Sequence, residues 1–288
     1  MRAIIVFSLF VVSAFLFGAV MAYPLKLTLD PFLDLAFRKY LTYATLLSGL
    51  LISGVYLKTY NLLSIKAFGF NQKPNAFFRS LVNGFVYGVV IILIIELLML
   101  ILGIHEFDTS RSFTLSNISL LFLKAIIVGL LIGTIEEAIF RGALFSGLYK
   151  QTGAVITVFF SSLVYSTVHF IRYREVAPDT DIGWLTGFSM MPEAFRRFYE
   201  WSIVDYFLTL FIFGVLLGLF RLKHQSIAAC IGLHAGVVML IKISNYITNR
   251  THDSNYEYLS SPYNATFGWM SFTVILVFTI FYLIKLKK

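Results

Sequence analysis

The sequence predicts an all-α, polytopic bundle of about eight transmembrane helices. Hydrophobic residues make up 58% of the 288 residues and charged residues 13%, against roughly 45–50% and 25% in soluble domains. Mean hydropathy is +0.82. The apolar residues fall into runs close to the roughly 20 residues that a helix needs to cross the hydrocarbon core. Such a chain has too little polar surface to cover a water-facing globule. Intrinsic disorder, a coiled coil and a disulfide-rich secreted domain are excluded. Cys230 is the one cysteine, so there is no disulfide framework and no cysteine metal cluster.

The eight runs cover about residues 3–22, 41–57, 81–103, 118–138, 153–171, 203–221, 226–247 and 267–284. Arg2 precedes the first, and Val20-Met21-Ala22 is similar to a signal cleavage site. The run is longer than the usual ~7–15-residue signal core, so a retained anchor is expected. A slight excess of Lys and Arg on one set of loops places both ends in the cytoplasm. Net charge is +8. The basic residues punctuate apolar runs and form no stripe, which points to membrane lipids as partners and away from nucleic acid. Residues 172–202 form the longest connection and mix arginines and acids with Trp184, Phe195, Phe198, Tyr199 and Trp201. They read as a helix lying in the interface or a cap over the bundle, with a plain interfacial anchor preferred to a substrate lid.

Ionisable residues inside apolar runs are costly, so each is a functional hypothesis. Glu136, Glu137 and Arg141 end the fourth run. On a helix Glu137 and Arg141 form an i,i+4 pair in the favourable order. Glu136 points about 100° away and is free to face something else. His169 lies near the end of the fifth run and His234 inside the seventh. A glutamate and a histidine can hold and deprotonate a water, and a second histidine can donate to a developing oxyanion. Two histidines and a carboxylate can also ligate zinc with an open position. His105, His224 and His252 fall in loops or at run ends and are expected to be solvated.

With these residues in place, the chain resembles the CPBP intramembrane proteases, also called the ABI or CAAX-protease family. The first motif is Glu136-Glu137-Ala138-Ile139-Phe140-Arg141, the second Tyr165-Ser166-Thr167-Val168-His169. The third begins at His234 and carries Val238 where the family has Asn or Asp. The Phe213-Gly214 to Gly218 stretch is also similar. The resemblance spans residues 118–247. It implies a catalytic core there (transmembrane helices 4–7), preceded by helices 1–3 in residues 1–117 and followed by a loop and last helix in 248–288.

The resemblance further implies a multi-pass protein of the bacterial cytoplasmic membrane. Its activity would be an intramembrane endopeptidase acting on a membrane-associated protein or peptide. Family members trim prenylated CAAX proteins, and many bacterial ones are linked to bacteriocin maturation or self-immunity. Glu136 would activate water with His169, Glu137 would pair with Arg141, and His234 would stabilise the oxyanion. The family has been described as both glutamic- and metallo-type. In the second case Glu136, His169 and His234 are the plausible zinc ligands; in the first no cofactor is needed. Val238 cannot supply the polar group of the third motif, and Tyr165 and Ser166 are the candidate substitutes. Two other classes compete: a catalytically silent immunity or binding protein on the same fold, and an ion-coupled transporter. A transporter should show repeated halves and broken helices, and no internal repeat is present.

Overall fold

The computed structural model describes residues 2–59, 64–66, 68–177, 180–251 and 253–287. The fold is all-α. Its long helices are α1 (Arg2–Leu33), α2 (Phe37–Thr59), α3 (Pro74–Ile101), α4 (Leu115–Glu137), α5 (Phe145–Val168), α6 (Val204–His224), α7 (Ala228–Ile247) and α8 (Trp269–Lys287). A π-helical segment, Ala138–Leu144, joins α4 to α5. One small antiparallel sheet pairs β1 (His105–Phe107) with β2 (Thr248–Arg250), His105 opposite Arg250.

Among the described residues six segments are long and apolar enough to cross a membrane by length and composition. The 54-residue segment Leu115–Val168 contains both α4 and α5, because the π-helical link continues the helix between them. The second predicted run lies in α2, where residues 50, 53 and 56 fall outside the described side chains, so the six segments do not test it. Other boundaries also move. α1 runs on past residue 22 through Pro24 and Pro31. The Thr28 hydroxyl donates back to the Pro24 carbonyl at 3.0 Å within the helix. The predicted start of the fifth run at residue 153 coincides with a break inside α5. Gly153 has φ +74° there, a conformation that favours glycine.

Small residues set the packing. Lipid provides no hydrophobic drive between helices, so backbones must approach closely to gain contact. A Cβ added to Gly84 or Gly88 of α3 would run into the carbonyls of Ala229 and Leu233 on α7. One added to Gly232 or Gly236 of α7 would run into those of Leu81 and Phe85 on α3. α4 joins the same ladder, with Gly129 against Ala235 and Gly133 against Ile231. α3 and α7 are thus parallel, and α4 is antiparallel to α7. Gly214 and Gly218 of α6 meet Ser162 and Val158 of α5, an antiparallel pair. These are the directions that consecutive membrane passes require.

The chain divides into two compact units, residues 1–63 with 167–201, and residues 64–166 with 202–288. In the first, α1 and α2 pack antiparallel, with Gly18 against Thr45 and Gly49 against Ala14. Of the two readings of residues 172–202, a helix or a cap, one continuous helix is not what the described residues form. They fold as short turns, Thr186–Ser189, Met191–Ala194, Arg196–Tyr199 and Trp201–Ile203, because Pro192 and the alternation of charge and ring leave no continuous apolar face.

Candidate active site

The site forms in the second unit, where α4 passes into the π-helical segment. Such insertions are rare and are frequent at functional sites. Thr114 caps the start of α4 by accepting from the Asn117 amide at 3.3 Å. The glycine ladder then presses α4 onto α7 and brings the end of α4 beside His234.

Glu137 and Arg141 are fully buried. The Glu137 carboxylate approaches Arg141 Nε at 3.4 Å. That contact is an ion pair without a hydrogen bond, and Arg141 Nη1 donates to Glu137 Oε1 at 3.5 Å beside it. Arg141 Nη2 donates to the Gly214 carbonyl at 3.1 Å, which ties the site to α6. The guanidinium lies over the Tyr165 ring at 4.6 Å, within cation–π range. Arg221 donates from Nε to the Arg141 carbonyl at 3.0 Å. That bond satisfies a main-chain acceptor within the π-helical segment.

His234 is held on three sides. Its Nδ1 lies 2.9 Å from Glu137 Oε1. Tyr165 and Phe213 meet the ring edge-on at 6.2 and 5.8 Å. An ionised carboxylate only accepts, so Nδ1 carries the hydrogen and Nε2 of the neutral ring is left as an acceptor. Nε2 faces Glu136 Oε2 at 3.9 Å. That is too long for a hydrogen bond and short enough for both atoms to reach one water. The Glu136 side chain keeps 27% of its surface exposed, against 0% for Glu137. One carboxylate is therefore sealed inside and the other stands at the open edge.

Of the residues the sequence singles out, Glu136, Glu137, Arg141 and His234 come together. Glu137 meets both Arg141 and His234. His169 follows the end of α5 and belongs to the first unit. Among the described residues no three His, Cys, Asp or Glu side chains are gathered as a metal-holding group. The two candidate donors fare differently. The Ser166 hydroxyl is spent on its own helix, donating to Leu163 O at 3.0 Å. Tyr165 lends its ring to Arg141 and His234. Val238, one turn beyond His234, is half-buried and adds no polar atom.

His105 corrects another expectation. It is buried, not solvated. Its Nδ1 meets Glu96 Oε2 at 2.9 Å and its Nε2 meets the Ala265 carbonyl at 3.2 Å. Glu96, an ionisable residue inside the third apolar run, escaped sequence reasoning; its position alone was the signal. His224 is half-buried, 3.4 Å from the Tyr282 hydroxyl. His252 lies outside the described residues.

Residues 118–240 match the family described as type II CAAX prenyl endopeptidase Rce1-like. The match runs from α4 through most of α7 and contains every residue of the three motifs. This match agrees with the CPBP/CAAX-protease resemblance that the motifs implied. At family level the match supports a CAAX-type protease, and the apolar helices support a multi-pass membrane protein. Searches of curated proteins and of solved structures gave no match.

Proposed function

We propose that this protein is an intramembrane endopeptidase that hydrolyses a peptide bond in a membrane-associated protein or peptide. The nucleophile is a water shared by Glu136 and His234. The observation that carries this reading is the 3.9 Å gap between Glu136 Oε2 and His234 Nε2, with Glu137 fixing the ring from behind. Glu136 takes a proton from the water as its oxygen attacks the carbonyl carbon. The same carboxyl then returns the proton to the departing amide nitrogen as the C–N bond breaks. The resemblance of the second motif makes His169 a further candidate residue for the reaction. His234 in this tautomer helps hold the nucleophile. An oxyanion donor must come from another group or from the doubly protonated ring.

The test uses two probes, a prenylated peptide ending in a CAAX sequence and the same peptide on a transmembrane anchor. Glu136→Gln is expected to lower cleavage by about 10²–10⁴-fold, the usual worth of a general base, with the folded fraction unchanged. Chelator treatment leaves the wild-type rate unaltered. A Glu136→Gln protein as fast as wild type sinks the assignment. Val238 supports a second reading, a silent binding or immunity protein, whose mark is binding of a probe that wild type never cleaves.

A further inference from the structure

We infer that residues 184–201 form a plate that lies in the headgroup–acyl boundary of one leaflet, so that the partner of this exposed face is the lipid surface itself. The plate has two sides. On the inner side Met190 and Ala194 join a core with Ala19 and Ala22 of α1 and with Phe37, Leu41 and Ala44 of α2. A Cβ on Gly187 would strike the Ala19 backbone, so the plate is pressed against α1. On the outer side Trp184, Leu185, Tyr199 and Trp201 are 58%, 76%, 86% and 90% exposed. Water would not tolerate such a patch without a partner.

Depth follows from what the inner side touches. The plate meets α1 and α2 at the level where both turn from apolar to charged. Lys26 and Asp30 pair on α1 just beyond Ala22, and the Tyr40 hydroxyl donates to Asp30 at 2.9 Å. Arg38 of α2 donates to Glu175 at 2.8 Å. Trp and Tyr favour this zone because their rings are apolar and their N–H and O–H are not.

Charge says which lipids. In the sequence of the 172–201 connection, Arg172, Arg174, Arg196 and Arg197 are more than matched by Glu175, Asp179, Asp181, Glu193 and Glu200. Arg196 lies 3.5 Å from Glu193, and Arg174 lies 4.0 Å from Glu200. A surface balanced in this way has no excess positive charge for anionic headgroups. Its rings hold it to the bilayer, and headgroup charge and salt have little effect.

The chain has three tryptophans, Trp184, Trp201 and Trp269, which makes the test direct. Full-length protein is placed in phosphatidylcholine nanodiscs as Trp184→Phe/Trp269→Phe, leaving Trp201, and as Trp201→Phe/Trp269→Phe, leaving Trp184. With lipids brominated near the glycerol end, each protein is expected to lose most of its emission. Bromines near the terminal methyl, or aqueous iodide, remove much less. Phosphatidylglycerol and high salt give the same pattern. The inference is overturned if iodide quenches either tryptophan as it quenches free indole, which would expose the plate to a soluble partner or a second copy. Stronger quenching by the deep bromines, or quenching that requires anionic lipid, overturns it as well.

Discussion

Two glutamate–histidine pairs are buried in this bundle, and they differ in what faces the second ring nitrogen. In both, a histidine Nδ1 lies 2.9 Å from a carboxylate oxygen. Beyond His105 the other nitrogen is closed by a main-chain carbonyl, Ala265 O at 3.2 Å. Both nitrogens are occupied, and the pair ties the end of α3 to the loop before α8. The Ser254 hydroxyl, donating to Leu102 O at 2.8 Å, fastens the same region. Beyond His234 the other nitrogen looks across 3.9 Å at a second, partly exposed carboxylate. Pairing alone therefore makes a staple. Pairing with an open nitrogen and a neighbouring base makes a candidate site.

The sharpest break of that comparison removes each carboxylate in turn. Glu137→Ala strips Arg141 of its counter-charge and His234 of its acceptor. Leaving a buried charge uncompensated costs about 3–5 kcal/mol, so thermal unfolding should fall steeply and cleavage with it. Glu96→Ala leaves His105 without one partner, a cost of about 1–3 kcal/mol. Its cleavage rate per folded molecule should match wild type. Equal loss of rate in the two variants would remove the distinction.

The scaffold beneath the pairs gives the next effect. Gly232→Ala forces α7 away from Leu81, two residues from His234, and such overpacking costs about 1–3 kcal/mol. Unfolding temperature and cleavage should both drop. Gly54→Ala, where no atom lies within 4 Å of the new Cβ, should change neither. The smallest effect sharpens the open side of the site. Val238→Asn adds a polar group one turn past His234. A cleavage assay should show a rise of about tenfold or less, short of the ~10²–10³ of a full oxyanion donor. A fall would show that the position needs an apolar side chain.

Much of the site was legible because lipid makes charge conspicuous. Glu136, Glu137, Arg141 and His234 stand out from apolar runs, and their motif order carried the family. His105 was not legible, since a histidine just past a helix end reads as a loop residue. Its burial depends on Ala265, far along the chain. The double duty of Glu137 depends on α7 lying against α4, which periodicity within α4 does not reveal. The glycines at spacing four in α3, α4, α6 and α7 did signal close packing, but which helix each one meets is a tertiary fact. The π-helical segment leaves the composition of residues 138–144 unchanged, so apolar runs gave no sign of it.

The central claim is that His234, and not His105, faces the reacting water. The direct measurement is the cleavage rate of His234→Ala and His105→Ala, each divided by its folded fraction. The account predicts a fall of about 10²-fold or more for His234→Ala and the wild-type rate for His105→Ala. Wild-type cleavage by His234→Ala, or an equal fall in both, would contradict it.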